Sequence, residues 1–328
     1  MIKALIIAVL VVSVAGCSGN QSALDVHGQS AVALKQLIVI MVIACAIIWL
    51  LVSGFLVWAV ARRREVRDDE VTKRKMTVGV QSAAIATVII VAGLTMISFY
   101  TTRLLNSAAD DAVVVTVKGQ QWWWQFVYKQ DQNQALFQTA NELHIPVGRD
   151  VRLELESIDV IHSFWVPSLA GKLDLIPGRK NILTMRADRP GIYRGQCAEF
   201  CGLQHSHMAL MVIAEEKADY ERWRMSQAAP AREPTSDEAL AGKDVFTARQ
   251  CAACHTIRGT PAVGTSGPDL THVGARQMIG AGLLETTRGS LAAWIADPQT
   301  LKPGNNMPLV PLTSDELRQV SAYLEGLK

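Results

Sequence analysis

The chain is expected to fold as a two-helix transmembrane hairpin, then an all-β sandwich, then a small all-α domain. Three observations predict that order: long uncharged runs are confined to the residues before 100, short apolar alternations broken by Gly and Pro begin near Asp111, and apolar residues recur at helical spacing after Thr235. A hydrophobic content of 49% over 328 residues is too high for a plain soluble protein, and its concentration at one end implies membrane attachment. The formal net charge is only +2, with positive and negative residues balanced over 101–214 and over 236–328. Neither region carries the basic stripe that nucleic acid demands, so nucleic acid is excluded as a partner.

Residues 1–17 have the outline of a signal peptide: Lys3, an apolar run from Ala4 to Val12, and small residues before Cys17 that resemble a bacterial lipoprotein cleavage box. Lipidation of Cys17, ordinary signal cleavage and an uncleaved first helix all fit that pattern. A two-span hairpin is expected over 34–101, because Leu37 to Val60 and Val78 to Tyr100 carry no charge and each exceeds the roughly 20 residues needed to cross hydrocarbon. Between them Arg62, Arg63, Arg64, Arg67, Lys73, Arg74 and Lys75 crowd one loop, which should therefore face the cytoplasm. Both ends of the chain then lie outside, on the periplasmic face of a bacterial inner membrane.

The sandwich is expected over 110–214. Its strands are read from Val113–Val117, Trp122–Phe126, Val151–Leu155, Lys180–Met185 and Ala209–Ile213, punctuated at Gly119, Pro146, Pro177 and Pro190. Three successive tryptophans, Trp122, Trp123 and Trp124, on one strand would place two on one face. Residues 215–235, charged and then Ala/Pro-rich, read as a helical stalk and linker. Over 236–328, the strings Thr235-Ser-Asp-Glu238 and Thr313-Ser-Asp-Glu316 match capping boxes, and Leu317, Val320, Leu324 and Leu327 form one helix face.

Six cysteines include two short-spaced pairs. In Cys197-Ala-Glu199-Phe-Cys201-Gly-Leu-Gln-His205-Ser-His207-Met208, thiolate, thioether and imidazole crowd one loop, a soft donor set suited to copper. A blue-copper centre uses a single Cys, so this loop has one thiolate too many for it. A Cys197–Cys201 disulfide explains the cysteines but not the His and Met spacing, and zinc accepts Cys and His yet rarely Met. His162, which interrupts an apolar strand, is the candidate further ligand, whereas His207 has no evident ligand role. In Cys251-Ala-Ala-Cys254-His255, two thiols and an adjacent imidazole have the spacing of c-type haem attachment. A redox-active disulfide would need a βαβ pattern that is absent. Met307, in Asn305-Asn306-Met307-Pro308, lies in the sort of loop that delivers a distal thioether, and His/Met ligation raises the iron potential; His272 is a rival distal ligand.

The string Cys-x-Glu-x-Cys-x-x-x-His-x-x-Met closely resembles subunit II of cytochrome c oxidase, over essentially residues 34–214, and the C-terminal segment resembles a small bacterial cytochrome c. The resemblance implies a cupredoxin-like sandwich holding a binuclear copper centre, CuA. It implies that Cys197 and Cys201 bridge the metals, His162 and His205 cap one each, and Met208 and the Glu199 carbonyl complete the set. By the same analogy the Glu199 carboxylate helps bind Mg at the contact with the catalytic subunit, and Trp122 is the residue where electrons enter. The family often has a Glu at the head of the second span; here that stretch runs Lys75-Met-Thr-Val-Gly-Val-Gln81. The spans hold no His, Asp, Glu, Lys or Arg, so oxygen reduction and proton pumping must belong to a partner.

The fused architecture resembles oxidases in which cytochrome c or a membrane donor reduces haem c, then the copper pair, then subunit I, with subunit III also present. A CuA subunit of a haem-copper nitric oxide reductase and a free-standing membrane-tethered carrier are the alternatives. Asp159 and Asp174 lie near the copper ligands in sequence and are candidates for a docking surface.

Overall fold

The structure is a computed structural model that describes residues 19, 21–62, 70–104, 109, 111–129 and 135–328. Residues 1–17 with Cys17, and Arg63, Arg64 and Arg67 of the basic loop, lie outside the described residues. The chain divides into two units, 32–107 and the remainder.

Two helices dominate the first unit: α1 (Gln29–Ala61) and α2 (Glu70–Leu104). Both are long and apolar enough to cross a membrane, and their apolar windows are unburied within the chain. Lipid can solvate such side chains, whereas water would make them costly. Within α2 the hydroxyls of Thr77, Thr87 and Thr95 donate to the carbonyls of Lys73, Ala83 and Val91, which removes their polar cost in hydrocarbon.

The second unit holds a sandwich of ten strands. One sheet has the order β3 (Ala135–Ala140), β2 (Trp123–Lys129), β1 (Val113–Gln120), β5 (Val151–Ser157), β8 (Asn181–Met185). The other runs β4 (Glu142–Pro146), β10 (Ala209–Glu215), β9 (Gly191–Cys197), β6 (His162–Trp165), β7 (Leu173–Leu175). The β1–β5 and β4–β10 pairs are parallel and the others antiparallel. Strict alternation along β2 and β5 sends every second side chain inward, where Trp124, Phe126, Leu153, Leu155 and Phe164 are fully buried. Trp124 meets Phe164 edge-on at 5.6 Å. Trp122 precedes β2 in a turn, so only Trp123 and Trp124 share the strand.

The segment at 21–28 straps back onto the sandwich, with His27 N–H donating to the Ser168 carbonyl at 2.8 Å and Asp188 N–H to the His27 carbonyl at 2.8 Å. The helix α3 (Lys217–Ala228) forms where a stalk is expected, but it lies on the sandwich: Tyr220 is buried and the Trp223 ring stacks on His144 at 3.9 Å. Amphipathic aromatic contact outweighs solvation of its charged face.

The C-terminal region comprises α4 (Asp237–Ala248), a hairpin of β11 (Met278–Ile279) and β12 (Leu284–Glu285), α5 (Arg288–Ala296), α6 (Pro298–Leu301) and α7 (Ser314–Gly326). Val320, Leu324 and Leu327 are buried, and Leu317 packs against the same cluster from its edge. The Thr313/Glu316 capping box is formed, but the Thr235 string does not make one. Ser236 caps α4 instead, and Glu238 accepts from Arg288 Nη2 at 2.6 Å and Arg318 Nε at 3.2 Å, so its carboxylate is taken by cations rather than by the helix end. Where α4 crosses α7, an added Cβ on Gly242 would lie 2.1 Å from the Gln319 carbonyl oxygen, a backbone atom that cannot swing aside. Gly242→Ala is therefore expected to destabilise this domain by about 3 kcal/mol, the upper part of the overpacking range, read by calorimetry of the full chain; an unchanged transition would refute the crossing.

Candidate metal and haem sites

The copper loop joins two paired strands. β9 ends at Cys197, β10 begins at Ala209, and Ala209 faces Gln196 in register, so both ends of the ligand loop are pinned by the ladder. A closing hydrogen bond runs from Cys197 N–H to the Met208 carbonyl at 2.9 Å. His162 opens β6, whose Phe164 is paired with Cys197. Tertiary pairing thus delivers the remote imidazole to the loop.

The Cys197 and Cys201 sulfurs stand 3.7 Å apart. A disulfide requires about 2.05 Å, so they are unbonded. His162 Nδ1 lies 3.9 Å from Cys197 Sγ, and the Glu199 carbonyl oxygen is 3.2 Å from the same sulfur. At the other end, His205 Nδ1 is 3.6 Å and Met208 Sδ 3.9 Å from Cys201 Sγ. His162, Cys197, Cys201 and Met208 are all buried. The six candidate ligands meet in one cluster, with two unbonded sulfurs at its centre and nitrogen, oxygen and thioether donors divided between its ends. That donor set fits soft or borderline metal and fits a shared pair better than a single ion.

The electrostatics favour one thiolate even without metal. Cys197 is lowered to about 3, chiefly by the hydrogen bond from Cys201 and then by His162, although burial opposes it. The same contact and burial push Cys201 up, because a second thiolate beside the first is disfavoured. Burial opposes protonation of His162, yet Cys197 and Asp159 together raise it.

Several contacts around the ligands carry no sequence signal. The Asp159 carboxylate accepts from His162 Nε2 at 2.8 Å and from Gln121 N–H at 2.6 Å. It orients the imidazole while remaining exposed at the surface. Asp159→Asn is expected to weaken copper affinity by ~10–100-fold, measured by competition with a chelator; unchanged affinity would remove Asp159 from the site. The Cys201 carbonyl accepts from Trp122 Nε1 at 3.0 Å and Gln121 Nε2 at 2.7 Å. Glu199 and Asp174 are both half-buried beside Lys172, at 3.8 and 3.7 Å. His207 sits apart, its ring paired with Gln204 at 2.8 Å.

In the helical domain Cys251 and Cys254 are likewise unbonded. His255 Nδ1 donates to the Pro268 carbonyl at 2.8 Å, which leaves Nε2 as the free imidazole nitrogen. Burial lowers its pKa and keeps the ring neutral, the form that ligates iron. Gly267 admits the ring: an added Cβ there would lie 2.5 Å from His255 Cε1. Met307 packs against the domain core, and its Sδ accepts from Trp294 Nε1 at 3.1 Å. Asn305 Oδ1 accepts from Met307 N–H at 2.8 Å, and Gln299 Nε2 donates to the Asn305 and Met307 carbonyls at 2.9 Å. His272 is directed elsewhere, Nε2 facing the Ala229 carbonyl at 3.1 Å. Two free thiols, a neutral imidazole with Nε2 open and a braced thioether fit a covalently attached haem.

A soft-metal cluster in a β-sandwich and a haem-attachment motif in a helical domain, behind two apolar helices, define a membrane-tethered redox protein. The family described as "Cytochrome C oxidase subunit II, periplasmic domain" matches residues 113–215, and that described as "Cytochrome c" matches 239–328. Cytochrome c oxidase subunit 2 of Alkalihalophilus pseudofirmus is 35% identical over 324 residues, covering 95% of this chain and 93% of that protein. The Bacillus subtilis subunit 2 is 32% identical over 201 residues, 58% of this chain and 56% of that one. A solved periplasmic domain of subunit II of cytochrome oxidase from Bradyrhizobium japonicum is 27% identical, covers 38% of this chain and 96% of its own, and superposes with a TM-score of 0.34. The chain belongs to the cytochrome c oxidase subunit II family, with a cytochrome c domain at its C-terminus.

Proposed function

We propose that the chain is the electron-input subunit of a haem-copper terminal oxidase. It takes single electrons from cytochrome c or a membrane donor and hands them to an oxygen-reducing, proton-translocating subunit I, in a complex that includes subunit III. Haem c and a binuclear copper centre, when bound, supply one-electron redox chemistry that needs no proton from this chain. Cys197, Cys201, His162, His205, Met208 and the Glu199 carbonyl would hold the coppers. Cys251 and Cys254 would carry the haem, and His255 and Met307 would hold its iron.

The carrying observation is the sulfur pair, unbonded at 3.7 Å with donors at both ends. The residues around it hold the ligands still, because every ligand that moves between redox states adds a reorganisation cost. Asp159 fixes the His162 ring, and the Cys201 carbonyl is held by the Trp122 indole and the Gln121 amide. That contact supports Trp122 as the point where electrons enter the copper site. The half-buried Glu199 carboxylate is suited to a Mg ion shared with subunit I. With no His, Asp, Glu, Lys or Arg from Val78 to Tyr100, proton handling falls to the partner. The membrane is the bacterial inner membrane, crossed twice, with both redox domains on its periplasmic face.

Metal and optical analysis of the purified chain tests the reading. Two coppers and one covalent haem per chain are expected; zinc, or a single copper, would overturn the site. Oxygen uptake by the co-purified complex is the expected activity, and nitric oxide consumption in its place would reassign the enzyme.

A further inference from the structure

The two redox domains share a face that is fastened by backbone groups, and at its centre lies one buried cation. Lys302 follows α6 in the helical domain and is only 2% exposed. Its Nζ donates to three carbonyls: Trp122 at 2.8 Å, His207 at 2.8 Å and Gly280 at 2.9 Å. An ammonium has three protons, and here each has an acceptor. Two acceptors belong to the copper domain, the main-chain carbonyl of Trp122, whose indole lies beside Cys201, and that of His207 inside the ligand loop, and the third belongs to the helical domain itself. Burial pulls the Lys302 ammonium down to about 7, with the nearby Cys201 sulfur opposing that shift.

Neighbouring contacts cross the same face with the copper domain donating. Gln204 Nε2, in the copper loop, donates to the Pro303 carbonyl at 2.8 Å, and Ala209 N–H donates to the Ala281 carbonyl at 3.0 Å. An ideal Cβ on Gly304 would sit 3.4 Å from Leu203 and 3.6 Å from the Trp122 ring, so the backbone there lies over the indole. Trp122 is 8% exposed as a result. The same short stretch then continues to Met307, braced by Asn305 and Gln299. One loop therefore touches the copper site at its start and carries the candidate haem ligand at its end.

We propose that Lys302 is a positioning residue whose three-carbonyl clasp seats the Met307 loop on Trp122, setting the separation that electrons cross within the chain and closing Trp122 to outside donors. The proposal rests on the functional reading above. A lysine suits the task because a compact ammonium on a long stem reaches three carbonyls converging from different directions, which a planar guanidinium cannot match.

The test uses the full-length chain in detergent, loaded with copper and haem, with Lys302→Met as the apolar near-isostere and Lys302→Gln as a partial replacement that keeps two donors. Two readouts are taken: amide hydrogen exchange at Ala209 and across 280–282, and the rate of electron transfer from photoreduced haem to copper. In Lys302→Met both are expected to change by about tenfold, exchange faster and transfer slower, as loss of a charged hydrogen-bond cluster implies. Absorption spectra and midpoint potentials of the separate centres should stay as they were. Lys302→Gln should fall between, and it decides the matter should the Met variant fail to fold. Unchanged exchange and unchanged transfer in a fully loaded variant would overturn the clasp. Failure of the wild-type chain to hold copper and haem would instead overturn the functional reading, while exchange at Ala209 would still report on Lys302.

Discussion

The Cys201→Ser chain is expected to lose the copper centre while keeping its fold. Serine offers a hard oxygen whose hydroxyl stays protonated at neutral pH, so it cannot act as a soft anionic bridge. The carbonyl of residue 201, which anchors Trp122 Nε1 and Gln121 Nε2, is untouched by the substitution, and the loop remains closed by Cys197 N–H to Met208. Affinity should therefore fall by more than ~100-fold, beyond what a lost second-layer partner costs, with the thermal transition little changed. Metal analysis and visible absorption read the result. Retention of a full copper complement with an unaltered spectrum would show that Cys201 is not a ligand. Cys197→Ser should behave alike, since its sulfur lies between His162 Nδ1 and the Glu199 carbonyl.

Met307→Leu is expected to leave the haem attached and shift its potential. Attachment depends on Cys251 and Cys254, which the substitution does not reach, whereas the distal thioether is lost and Trp294 Nε1 loses its acceptor. His/Met ligation raises an iron potential, so the midpoint should drop by roughly a few tenths of a volt, within the ~0.8 V that axial ligands span. The sulfur-to-iron charge-transfer absorption should vanish at the same time. A redox titration indistinguishable from wild type would remove Met307 from the iron. His272 is a poor substitute, because its Nε2 already faces the Ala229 carbonyl.

Much of both candidate sites is legible as strings because each lies largely in one loop. Cys197, Cys201, His205 and Met208 are close in sequence and remain close in space, and so are Cys251, Cys254 and His255. His162 is the intermediate case. A polar residue in an apolar strand marks it, but only the β6–β9 pairing brings it within reach of Cys197. The strand pattern is similarly readable where one face is buried, as in β2 and β5. It is weak in β4, where every residue is buried and alternation disappears. The Thr235 string shows the limit of local signals: Glu238 has a better offer from Arg288 and Arg318, so the cap passes to Ser236.

The order of membrane hairpin, sandwich and helical domain was thus determined by the sequence alone, together with the soft-donor chemistry of the two loops. Hydropathy period and donor type are properties of neighbouring residues, and short-range patterns preserve them. Tertiary structure alone decided that α3 lies against the sandwich, that Asp159 steadies His162 and that Lys302 joins the two redox domains. The acceptors for Lys302 are main-chain carbonyls of Trp122, His207 and Gly280. Every residue type supplies a carbonyl, so no letter in the sequence marks where the buried ammonium will find its three partners.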